Sequence, residues 1–234
     1  MSLENCVVIE LGAPRGLDTD GLSPLASCVQ RQVMAGTKVI AVVSAPAWRG
    51  ERDVLASERL GSSADGHARA MLIGSGAIDT GERLAGILAD RGVRVARVDA
   101  RLTAPVTRGH PLDAQPRHAN ARAFTDLLDE HDVIIVPAGV GVDDFDRATH
   151  LGEDAGALTA LFLGETFGLT VTLSAGLSGA GIGRRKARLF ARDRGVEYAI
   201  EQRGTLPRRE YKPLRASRRE ILHDSGGERM AASA

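Results

Sequence analysis

Three stretches of this chain carry residues whose types and spacing suit chemistry. The first centres on Glu10, a carboxylate between Ile9 and Leu11 inside the apolar run Cys6 to Leu11. A charge in such a run is rarely fully buried without a partner, so Glu10 is expected to line the mouth of a cleft. The second is the glycine-rich turn from Gly176 to Lys186, which opens a basic helix. The backbone N–H groups around Ser178, Gly179 and Gly181, added to a helix N-terminus and to Arg184, Arg185 and Lys186, suit a phosphate. The spacing matches neither the dinucleotide-binding nor the P-loop pattern, and a plain turn before a solvated basic helix explains the same residues. The third is acidic: Asp143, Asp144, Asp146, Glu153 and Asp154 gather in one region, either as a solvated loop or as the wall of a site. Whether they bind a metal stays open. His110, His118, His131 and His150 stand near no serine or cysteine in the manner of a triad. His150 either faces the cleft or is a satisfied loop histidine, and Trp48 either caps a ligand or packs.

The elements that must position these residues alternate. Strands are expected over Cys6 to Leu11, Lys38 to Val43, Val93 to Val98, Asp132 to Val136, Leu169 to Leu173 and Val196 to Ile200. Helices are expected over Leu22 to Ala35, Ala77 to Arg91, Ala121 to Glu130 and Gly156 to Phe167, with a charged, helix-permissive stretch from Pro46 to Met71. Leu102 to Asn120, with three prolines and no periodicity, reads as a long loop. Alternating strands and helices predict an α/β fold with a mostly parallel sheet covered by helices. The domain is expected to span residues 1–202, and the Arg-, Ser-, Gly- and Pro-rich residues 203–234 read as a basic tail.

Composition narrows the function classes. With 234 residues, 43% apolar and 26% charged, the chain is long enough to bury a real core. Thirty basic and 30 acidic residues cancel, which gives the whole molecule no electrostatic reason to seek nucleic acid or an anionic membrane. Only Lys38, Lys186 and Lys212 are lysines, so a lysine-dependent site has few places to find one. Cys6 and Cys28 have neither CxxC nor Cys/His ligand spacing and read as thiols of a reducing compartment. No stretch approaches a bilayer span and no basic leader precedes an apolar run, so a cytoplasmic protein is expected.

In order along the chain, several short motifs resemble the catalytic domain of the aspartate kinases, members of the amino-acid kinase superfamily. Val7-Val8-Ile9-Glu10-Leu11-Gly12-Ala13 is similar to that family's VxKFGG strand, and Val39 to Ala45 to its VVVVSA strand and turn. Asp79-Thr80-Gly81-Glu82 resembles the STGE helix start. Asn120-Ala121-Arg122, Val133 to Gly139 and Leu151-Gly152 fall where the family has its NAR segment, its VVVxGF strand and its LGRGGSD loop.

The resemblance implies a three-layer αβα sandwich that uses ATP and magnesium to phosphorylate the side-chain carboxylate of aspartate, and a homodimer. Such a transfer rests on positioning and on positive charge laid against phosphoryl oxygens. The chain departs from the family at those points. Glu10 stands at the lysine, Ala13 at the second glycine, Glu153 at the arginine and Ala157 at the aspartate. By resemblance Ser44, Thr80 and Glu82 belong to the substrate half, Gly12 to the nucleotide half, and Glu10 and Glu153 to the catalytic positions. Three readings follow. The first is an aspartate-kinase-like protein that binds an amino-acid-like ligand with lost or changed phosphotransfer. The second is an active carboxylate kinase using the Gly176 to Lys186 loop for phosphate, and the third is a non-catalytic partner subunit of a true aspartate kinase.

Overall fold

The computed structural model describes residues 3, 5–61, 64–96, 99–174 and 185–201. The order of elements is β1 (Cys6–Glu10), α1 (Thr19–Met34), β2 (Lys38–Val43), α2 (Ala47–Glu58), α3 (Gly66–Asp90), β3 (Val95–Ala96), α4 (Ala100–Thr103), β4 (Val106–His110), β5 (Asp113–His118), α5 (Ala121–Glu130), β6 (Val133–Pro137), β7 (Val140–Val142), β8 (Ala148–His150), α6 (Ala155–Phe167), β9 (Thr170–Ser174), α7 (Arg185–Arg194) and β10 (Tyr198–Glu201). Six of the strands form one parallel sheet in the order β10-β9-β1-β2-β6-β3.

The central strands are apolar on both sides because both faces are covered, as parallel sheets require. Val8, Ile40, Val42, Ile134 and Val136 pack under α5, α6 and α7. Ile9, Val39, Ala41, Val43, Val133 and Ile135 point the other way, onto α1 and α3. Three layers result, α on β on α, as the resemblance implies. Helix α6 is buried almost all round, from Ala157 to Gly164, which is why it reads as a continuous apolar run rather than an amphipathic stripe.

Two expectations are corrected. Leu102 to Asn120 is no loop: after the short α4, strands β4 and β5 pair antiparallel across the turn Pro111-Leu112. The prolines obscured this. Pro111 lies in the turn, and Pro116 sits in β5, an edge strand of a second sheet ordered β5-β4-β7-β8, where a missing N–H breaks no ladder. The second correction concerns Asp79 to Glu82, which does not start a helix. Helix α3 begins at Gly66, where Asp65 accepts a hydrogen bond from the His67 amide at 3.3 Å, and runs unbroken through these residues. Gly66, Gly74 and Gly76 lower helix propensity ahead of the apolar stripe and hid its first turns.

Candidate functional site

All six strands of the main sheet point the same way, so the residues leaving their C-terminal ends share one edge. Chain order places β2, β6 and β3 on one side of β1, and β9 and β10 on the other. The topology therefore switches direction between β1 and β9, the place where open α/β sheets form a ligand crevice. Glu10 ends β1 and Ser174 ends β9, on the two sides of that switch.

Glu10 is only 5% exposed, so it does not line a cleft mouth as its sequence setting predicts. Burial is tolerated because its charge is met. Its Oε2 accepts hydrogen bonds from the Ser174 amide and the Ser174 hydroxyl, each at 3.0 Å. Its Oε1 faces the first turn of α6: a Cβ built on Gly156 would stand 3.2 Å from Oε1 and 2.9 Å from the Ser44 Oγ. Glycine is what lets the helix approach both groups. The positive end of the α6 dipole then favours a carboxylate beside it. Asp154, the residue preceding α6, has φ 58° and makes no side-chain cap to its own helix. Its carboxylate instead accepts from the Ala187 amide of α7 at 3.2 Å.

A second cluster lies behind the same helix start. His150 Nδ1 accepts from the Gly152 amide at 3.1 Å, which leaves the ring neutral. Burial first, and the nearby Lys186 ammonium second, push the imidazole down to about 4, against the opposing pull of Asp113. Gly139, with φ 74°, approaches the ring so closely that a Cβ would come within 2.7 Å of Nε2. Lys186 donates to the Leu151 carbonyl at 2.8 Å and to the Asp113 carboxylate, tying α7 to the β4–β5 hairpin. Lys38, by contrast, begins β2 at the opposite edge and donates to the Leu128 carbonyl.

The residues singled out in the sequence separate into groups. Glu10 and Ser44 meet at Gly156, on the α6 side of the sheet. Gly12, with φ 68°, turns the chain just beyond β1. Glu153 is exposed in the turn before α6. Thr80 is fully buried inside α3, with its hydroxyl donating to the Gly76 carbonyl at 2.7 Å. Glu82 is exposed on the α3 side, at a shallow depression shared with Gly81, Ile135 and Pro137. Arg185 starts α7. Ser178, Gly179, Gly181 and Arg184 lie outside the described residues, as does the tail of residues 203–234. Ser174, Gly156 and Asp113 were not anticipated. A serine closing a strand, a glycine after an acidic pair and an aspartate after Pro-Leu were the available signals, each too common to stand out. Among the described residues, no group of three His, Cys, Asp or Glu side chains is placed to hold a metal ion, and no helix is long and apolar enough to cross a membrane.

No protein-family model matches the sequence, and no curated protein matches it. Solved structures do. Escherichia coli aspartokinase III, solved with aspartate and ADP, superposes with a TM-score of 0.58 at 18% identity over 73% of this chain. Aspartate kinase from Synechocystis superposes at 0.68 and 13% identity over 84% of the chain. The fold is that of the amino-acid kinases. An isopentenyl phosphate kinase shares it, with a TM-score of 0.56 at 15% identity, over 84% of this chain and 91% of its own. The chain spans about half the length of the E. coli aspartokinase it matches, 48%, and 37% of the Synechocystis enzyme. Within the amino-acid kinase fold, the Glu10–Ser174 contact thus occupies the C-terminal edge of the sheet beneath the start of α6.

Proposed function

We propose that this protein binds an amino-acid-like small molecule at the C-terminal edge of its sheet and that its phosphotransfer chemistry is lost or changed. The observation that carries the reading is the seat of Glu10. Transfer of a phosphoryl group between two anions depends on positive charge near the reacting oxygens. At the end of β1 this chain presents a buried carboxylate instead, already bonded to Ser174. A carboxylate at that position supplies none of this positive charge. Ser44 and, on α3, Glu82 are the residues proposed to form the substrate half, and Glu153 faces solvent where the ligand would enter; Thr80, fully buried with its hydroxyl on the Gly76 carbonyl, does not reach a ligand. The test is incubation with ATP, magnesium and aspartate in the presence of hydroxylamine. No hydroxamate is expected, and robust hydroxamate formation would sink the reading.

One observation favours an active kinase instead. Lys186 is held against the loop that precedes α6, so a cation does stand near the helix start although none ends β1. Paired with Arg184 and Arg185, it would replace the absent lysine in binding ATP phosphates. Calorimetry with ATP and magnesium separates the two: binding that disappears in Arg185→Ala supports the active kinase, and no binding supports the first reading. A homodimer, or a pairing with a related subunit, is proposed by analogy with the fold and is read from sedimentation.

A further inference from the structure

We propose that the outer face of α2 is the docking surface for a second copy of this chain, with the two α2 helices side by side and pointing the same way. This goes beyond the functional reading, which leaves pairing to analogy with the fold. The surface requires no ligand, nucleotide or phosphotransfer.

The face is defined first by its buried opposite. Asp53 and Ser57 are the buried residues of α2. A Cβ built on Gly76 of α3 would stand 3.0 Å from the Asp53 carboxylate, so this side of the helix is packed on α3. The other side carries Trp48, 49% exposed, and Leu55, 54% exposed. They are seven residues apart, about two turns, and therefore share one stripe.

The order of charge along that stripe identifies what covers it. At 3.6 residues per turn, Glu51 and Glu58 lie about 50° to one side and Arg52 and Arg59 about 50° to the other. All four are exposed. Arg52 is held on its edge by Asp53 at 3.5 Å and by the Trp48 ring, whose centre is 5.7 Å from the guanidinium. The stripe thus has an acidic edge and a basic edge. A two-fold axis parallel to the helix sets the basic edge of one copy against the acidic edge of the other, on both turns. An antiparallel pairing sets glutamate against glutamate and arginine against arginine. A face that complements itself in one orientation and repels itself in the other suits a second copy of the same chain. Exposed ion pairs contribute little by themselves, so Trp48 and Leu55 supply the affinity and the four charges the orientation.

The test reverses one edge at a time. One variant carries Arg52→Glu with Arg59→Glu, and the other Glu51→Arg with Glu58→Arg. In sedimentation the unmodified protein is expected to dimerise, and each variant alone to do so at least about tenfold more weakly. An equimolar mixture of the two variants is expected to recover the association. A dimer that both variants leave intact overturns the proposal, and so does a mixture that stays apart. A protein that remains monomeric up to about 1 mM overturns it together with the homodimer. If Trp48, the only tryptophan, is shielded from a soluble quencher in that monomer, residues 203–234 cover the face instead. Should the charge variants fail to fold, oxidative cross-linking decides. Trp48→Cys and Leu55→Cys are each expected to give a disulfide-linked dimer that the unmodified protein, with Cys6 buried and Cys28 partly buried, does not give. Cross-linking at only one of the two positions overturns the parallel arrangement, and at neither overturns the surface. None of these outcomes involves hydroxamate formation or ATP, so failure of the functional reading and failure of this one are read separately.

Discussion

Ser174 gives both its backbone N–H and its hydroxyl to a single oxygen of Glu10, each at 3.0 Å, across the boundary between β1 and β9 where the sheet changes direction. The contact joins residues 164 positions apart and is what makes a buried glutamate acceptable at the end of the first strand. Replacing Ser174 by Ala removes the hydroxyl donor and keeps the amide. Hydrogen bonds to charged groups contribute about 1.5–3 kcal/mol, and Ser174 is half-buried, so a loss of roughly 1–2 kcal/mol is expected in urea denaturation. A loss below a few tenths would show that the hydroxyl adds nothing to the amide.

Gly156→Ala places a methyl group 2.9 Å from Ser44 Oγ and 3.2 Å from Glu10 Oε1. Overpacking of this kind costs about 1–3 kcal/mol, partly offset by the roughly 1 kcal/mol of helix propensity that Ala gains over Gly. Net destabilisation is expected, and Ser44→Gly should relieve part of it. A double-mutant cycle reads the coupling, and strict additivity of the two changes would refute the close approach.

His150 predicts a loss of stability in acid. Its imidazole is held neutral in the fold with a pKa of about 4, against 6.5 for the ordinary group. Between those values the unfolded chain binds a proton that the folded chain does not, so stability is full above about pH 6.5 and falls as the pH drops towards 4. At about 1.4 kcal/mol per unit the contribution amounts to roughly 3 kcal/mol. His150→Gln is expected to flatten the pH dependence of the denaturation midpoint across this window. An unchanged slope would assign the acid sensitivity elsewhere.

Cys6 is pushed up to about 11 by burial, against smaller opposing effects of a hydrogen bond with Val7 and of Lys38. The thiolate is the reactive form, so Cys6 should resist a thiol reagent at pH 8 in the folded protein and react on unfolding. Cys28, partly buried on α1, should account for any native-state labelling, which peptide mapping identifies.

Both ends of the chemistry differ in how far the sequence reveals them. The strands ending at Glu10, Val43 and Pro137 and the helix starting at Ala121 follow from apolar runs and a local cap, because those signals lie within a few residues. Asn120 accepts from the Ala123 amide at 3.1 Å, a contact made within three residues. The hairpin of β4 and β5 was obscured because its prolines are harmful only in a strand with two neighbours, and only the assembled sheet shows that β5 has one.

Residue types and their order alone established the α/β class, the scarcity of lysine and a carboxylate near the end of the first apolar run. They could not establish what that carboxylate does. Taken in isolation, Glu10 reads as a charge that must reach water. The tertiary structure decides otherwise by bringing Ser174, 164 positions along the chain, and the start of α6 with its Gly156 onto one side chain, with Ser44 bordering the same glycine. Desolvation of a charge is set by the donors and dipoles around it, and in a parallel sheet those neighbours come from distant parts of the chain, so no local pattern records them.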